Sequence, residues 1–147
     1  MGKEDRLAMV ESLLALPFPG THTQEKDRSG GPGYHVCVLQ ASQDFWDDRS
    51  EETVEAAREE VEATFQTLVT ALTARWGGPK PIDLERYLWS QSLAPEPMNQ
   101  LCQLSGEMLV WWRPEVDRWI GLAVGQGDPE FPIELLVAVG EASIPLT

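Results

Sequence analysis

From Ser50 to Trp76 the apolar residues Val54, Ala57, Val61, Phe65, Leu68, Leu72 and Trp76 recur at spacings of three and four, which sets them on one stripe of an amphipathic helix. At 1.5 Å per residue this helix is a rod of about 39 Å. A stripe of that length needs an apolar surface of similar extent beneath it, and a sheet is the simplest one. Asp48 or Ser50 is placed to cap the start, Glu51 and Glu52 suit the positive end of the macrodipole, and Gly77 and Gly78 stop the helix.

The segments Tyr34 to Ala41, Glu107 to Arg113, Asp117 to Val124 and Ile133 to Gly140 are short, rich in Val, Ile, Leu and Trp, and read as strands. The last three follow one another closely enough for an antiparallel meander. Tyr34 to Ala41 is apolar on both faces and belongs inside a covered sheet. Lys3 to Leu16 reads as a second helix, with Leu7, Val10 and Leu14 on a stripe widened by Met9, Leu13 and Leu16, and Pro17 and Pro19 end it. The expected fold is α+β, as a single domain over residues 1–147: a mainly antiparallel sheet of about four strands, the long helix across one face and the N-terminal helix nearby. Residues 20–33, polar and glycine-rich without periodicity, are expected to form a flexible loop. Between Pro79 and Gly106 the pattern allows a short helix from Asp83 and another ending at Gly106, or irregular chain.

The run Gly125-Gln126-Gly127-Asp128-Pro129 resembles a phosphate-binding glycine loop only in composition. A phosphate cradle needs its glycines between a strand and the amino end of a helix. Here they lead from strand to strand, Asp128 and Glu130 would repel an anion, and no Lys-Ser or Lys-Thr follows. The run is therefore expected to be a bend, with Gly125 and Gly127 suited to positive φ.

Charge excludes further classes. Lys and Arg total 11 against 24 acids, a net charge of −13, so the basic footprint that nucleic acid or an anionic membrane requires is lacking. No apolar run reaches the length of a membrane span, and acids interrupt the amino terminus where a signal peptide would be basic and then apolar. These features lead us to expect a cytoplasmic protein with Cys37 and Cys102 as reduced thiols. The abundance of Ala, Gly, Pro and Arg fits a GC-rich, bacterial genome. Asp48, Glu52, Glu55, Glu59 and Glu62 are spaced by four, three, four and three, and form a stripe about 130° from the apolar one. That stripe faces solvent, and it is a candidate surface for a basic partner, which such a field would steer.

His35 and Cys37 share one face of a strand, and His22 and Cys102 would have to complete any zinc site, but no ligand spacing supports this; as a nucleophile pair His35 and Cys37 project in parallel, and a partner would have to come from elsewhere. A buried Cys beside a hydrogen-bonded His is the better reading, and no metal, cofactor or catalytic residue is assigned. Trp111 and Trp112 must point to opposite faces of their strand. The apolar area on the second face then exceeds what the N-terminal helix can cover, which suggests a homodimer burying Trp111 or Trp112. Otherwise residues 79–106 fold over that face through Tyr87, Leu88 and Trp89. Two functions follow as expectations. One is a non-enzymatic binding or adaptor module acting through protein–protein interaction, with Trp111, Trp112, Asp48, Glu52, Glu55, Glu59 and Glu62 as candidate interface residues. The other is a small-molecule pocket lined by Trp and Tyr between sheet and helix.

Overall fold

A computed structural model describes residues 2–89 and 94–141. The fold is α+β, as expected, but its sheet has seven strands rather than about four. Chain order runs α1 (Lys3–Ala15), β1 (Thr23–Gln24), β2 (Arg28–Gly31), β3 (Tyr34–Ala41), α2 (Glu51–Trp76), β4 (Lys80–Asp83), α3 (Glu85–Leu88), α4 (Met98–Cys102), β5 (Glu107–Arg113), β6 (Arg118–Gly125) and β7 (Glu134–Glu141). Spatial order is β1-β2-β3-β7-β6-β5-β4, and every neighbouring pair is antiparallel. The expected meander is therefore present as β5-β6-β7.

The three additional strands lie where propensity argues against them. Two of them, β1 and β2, fall inside residues 20–33, which corrects the expectation of a flexible loop there: Ser29, Gly30 and Gly31 are buried and paired to Val36, His35 and Tyr34. The glycines serve close approach, since a Cβ on Gly31 would sit 2.7 Å from the Tyr34 ring. The third, β4, holds Pro81 but occupies the edge of the sheet, where a missing N–H is tolerated.

The inner strands are apolar on both sides, so both faces need a cover. Cys37, Leu39, Trp111, Ile120, Leu122, Leu135, Val137 and Val139 meet α1 and α2 in one core, where Leu68 and Leu72 of α2 are fully buried. Each such leucine contributes roughly 1.5–3 kcal/mol. The carboxyl end of α1 is fastened by Arg118 of β6, whose guanidinium donates to Leu13 O at 3.0 Å and Leu16 O at 2.7 Å and lies 3.9 Å over the Phe18 ring. These bonds bring a charged donor to carbonyls at the helix end, where the regular helical donors run out.

The opposite face is closed by residues 84–89 and 94–104. Leu84, Met98, Leu101 and Cys102 pack on Val36, Ile82, Met108, Val110, Trp119, Leu136 and Ala138. Among the described residues, the face whose exposure argued for a homodimer is covered over Leu136 and Ala138, with Trp112 left exposed at its margin. The cover follows the alternative route through residues 79–106 but uses different residues: Tyr87 is half-buried, whereas Leu88 and Trp89 are exposed. Among the described residues, no helix is long and apolar enough to cross a membrane.

The glycine run is a bend between β6 and β7, but neither Gly125 nor Gly127 has positive φ; Gly33 and Gly77 do. Gly125 is required for proximity instead. A Cβ there would stand 2.7 Å from Leu104 O, the same carbonyl that accepts from Gln126 N at 2.9 Å. Gly125→Ala should lower stability by about 1–3 kcal/mol, because the obstacle is backbone; chemical denaturation of the two proteins measures the difference.

Candidate docking site

The loops after β3 and before β7 are joined at one end of the sheet. Ser42 N donates to Ile133 O at 2.8 Å, Ile133 N to Ser42 Oγ at 2.8 Å, and Phe45 N to Glu130 O at 2.9 Å. Beneath these bonds Phe45 and Ile133 are completely buried. Above them Trp46 and Phe131 are 60% and 41% exposed, with their ring centroids 6.0 Å apart and their planes inclined at 58°. Gln126 Nε2 donates to Phe131 O at 2.9 Å and braces the second loop. The exposed aromatic pair thus stands on a hydrogen-bonded, well-packed base.

Immediately after Trp46 the chain enters the cap of α2. Ser50 Oγ accepts from Thr53 N at 3.3 Å, while Asp48 accepts from Ser50 N at 2.9 Å and from the Thr53 hydroxyl at 2.8 Å. The Ser50 amide, followed by the Thr53 hydroxyl, holds the Asp48 carboxyl below its ordinary pKa. Within six residues of Trp46, or three of Phe131, along the chain stand the exposed side chains of Asp44, Asp47, Asp48, Glu51, Glu52 and Asp128. Two cations enter this region, and both have partners: Arg49 sits 3.6 Å from Glu130, and Arg58 donates to Gln126 Oε1 at 3.4 Å.

Of the interface residues named from sequence, Asp48, Glu52, Glu55, Glu59 and Glu62 are all exposed along α2, as their spacing requires. Trp111 is not available. It is buried against Trp76 at 6.3 Å between centroids, and its Nε1 donates to Gly77 O at 2.9 Å, so it belongs to the core under α2. Trp112, on the other face, is 45% exposed at the far end of β5 from Gly106. Trp46 and Phe131 were missed as a pair, since nothing local to "DFWDD" shows that Phe45 turns inward and Trp46 outward.

The His and Cys residues are dispersed. His35 is buried, with Nε2 between the carbonyls of Leu16 (3.3 Å) and Pro17 (3.1 Å). His22 Nδ1 lies 2.6 Å from Tyr34 Oη. Cys37 and Cys102 occupy the cores on opposite faces of the sheet, and burial pushes both thiols up in pKa. Among the described residues no group of three His, Cys, Asp or Glu side chains is arranged to hold a metal ion. The chain matches no known protein family, no curated protein and no solved structure.

Two outcomes follow from this geometry. Phe45→Ala should cost about 3–5 kcal/mol as a core truncation, whereas Trp46→Ala should change stability by less than about 1 kcal/mol; urea titrations separate the anchor from the exposed ring. The second concerns His35, whose pKa is lowered, chiefly by burial. Below about pH 6.5 the unfolded chain takes up a proton that the folded chain refuses. Stability should therefore fall on acidification, and the loss between pH 7 and pH 5 should be smaller in His35→Gln, as read from urea midpoints at the two pH values.

Proposed function

We propose that the protein is a non-enzymatic binding module that docks a basic segment of another protein at the amino-terminal end of α2. Trp46 and Phe131 are the apolar anchor, and the carboxylates along α2 are the rim. The observation that carries this reading is the pair itself: two large aromatics held in contact, exposed, and pinned by Phe45, Ile133 and three hydrogen bonds. Rigid, exposed aromatics are the residues on which binding energy concentrates, because little conformational entropy remains to be lost when a partner covers them. The acidic rim supplies steering and selects the sign of the partner's charge. A guanidinium or ammonium reaching Trp46 gains a further 0.5–2 kcal/mol or so from the ring face. A Trp- and Tyr-lined pocket between sheet and helix has less support, since Trp76, Trp111, Leu68 and Leu72 fill that layer.

A short capped peptide alternating Arg with Leu tests the reading in a titration followed by the backbone amide signals of Phe131 and Thr53, which every variant retains. Saturable binding is expected, weakening as salt is added, with a loss of about tenfold or more in Trp46→Ala and in the double variant Glu52→Lys, Glu55→Lys. Affinity unchanged by Trp46→Ala, or an equal response to the same peptide with Glu in place of Arg, would overturn it.

A further inference from the structure

On the sheet face opposite α2 lies a second concavity, unrelated to the aromatic pair. Glu134 opens β7 there, and its cross-strand neighbours are Ala41 in β3 and Gly125 in β6. On the β6 side Leu104 closes in over Gly125, whereas on the β3 side Ala41 carries only a methyl group, so space remains on that flank of Glu134. A concavity of about 160 Å³ fills that space, with Val36, Val38, Leu136 and Leu104 as apolar lining, Glu134 and Asp27 as carboxylates, and Ser29 and Gln100 as further polar walls.

The frame is fixed by hydrogen bonds. Val38 N donates to Asp27 O at 2.8 Å, Glu25 N to Arg28 O at 2.7 Å, Gln126 N to Leu104 O at 2.9 Å, and Ser29 Oγ to Gln100 Oε1 at 2.9 Å. Within it the Glu134 side chain is half-buried and makes no hydrogen bond or ion pair among the described residues. Burial, then the nearby Asp27 charge, raises its pKa. A carboxylate partly withdrawn from water without a partner is disfavoured, and the cations of the wall do not pair with it: Arg28 directs its guanidinium 3.9 Å from Met9 Sδ on the other face, and Lys26 forms no ion pair among the described residues. Such a group in a concavity marks a site that an external cation completes. The apolar floor selects an organic cation over a metal ion, which requires oxygen ligands on most sides.

We propose that this concavity binds the ammonium end of a small aliphatic amine, with the charged nitrogen between Glu134 and Asp27 and the carbon chain along Val36, Val38 and Leu136. The volume admits one short alkylammonium group. Its source is a free amine or the side chain of a lysine, and the two share this chemistry.

Titration of the isotope-labelled protein with n-butylammonium, followed by amide chemical shifts, tests the site. Saturable shifts are expected at Ala41, Gly125 and Leu136. n-Butanol, of equal length without charge, should bind about tenfold more weakly or worse, and Glu134→Gln should lose about tenfold in amine affinity. The same Glu134→Gln protein should melt at a higher temperature at pH 7, which shows that it is folded and that the carboxylate had no partner. Trp46→Ala should leave amine binding unchanged, so failure here and failure of the aromatic docking site are distinguishable. Comparing 1,4-diaminobutane with Nα-acetyl-lysine methylamide identifies the source by which binds tighter. Absence of saturable shifts, equal binding of n-butanol, shifts confined to α2, unaltered affinity in Glu134→Gln, or a lower melting temperature in that variant would overturn the proposal.

Discussion

The structure depends on one constraint: β3, β7 and β6 are apolar on both faces. In β7, Leu135, Val137 and Val139 point to one side and Leu136 and Ala138 to the other, and all are buried. A two-sided strand at the centre of a sheet requires two covering layers. On one side a single long helix and a clamped short one suffice. On the other, the short helices α3 and α4 and the chain next to them do the work, anchored by Leu84, Met98 and Leu101. The antiparallel pairing then has room to extend outward through strands that are poor in apolar residues: β4 buries Ile82, β2 buries Ser29, Gly30 and Gly31, and β1 is exposed and held by its pairing to β2.

This division explains what the sequence made legible. Elements whose burial follows a period were visible: α2 from its stripe, and β3, β5, β6 and β7 from their Val, Ile and Trp content. Elements held by proximity were not. Arg28–Gly31 is a strand because Gly30 and Gly31 let His35 and Tyr34 come close, and the same composition in isolation reads as loop. Lys80–Asp83 contains a proline that only an edge position accommodates. The sequence between Leu84 and Leu104 has neither helical nor strand period, so nothing local separates Leu84 and Leu101, which are fully buried, from Leu88, which is exposed.

The candidate sites divide in the same way. The acidic stripe on α2 follows from spacing alone and is exposed as that spacing demands. Trp111 and Trp112 were correctly expected on opposite faces, but which of them remained exposed depended on Trp76 and Gly77, residues more than thirty positions away in sequence. Trp46 and Phe131 meet only because two loops distant in sequence are stitched through Ser42, Phe45, Glu130 and Ile133. Glu134 lies inside the segment Ile133 to Gly140 that reads as a strand; its surroundings come from Ala41 in β3 and from Leu104 over Gly125, and no local pattern encodes that.

The charge distribution bears on why a chain so acidic folds at all. Glu52, Glu55, Glu59 and Glu62 repel one another at i, i+3 and i+4 spacings, by about 0.2–0.5 kcal/mol per pair. The opposite stripe of the same helix buries Ala57, Val61, Leu68 and Leu72, and two of those leucines alone outweigh the sum. Ser50, Asp48 and Thr53 add a cap at the end where the acids also favour the macrodipole. The helix can therefore hold like charges in a fixed row at modest cost, because its position is set by the core. In the proposed function that rigidity gives the row its use: carboxylates fixed beside a rigid aromatic pair present one sign of charge and one apolar anchor to a partner, and neither has to be ordered on binding.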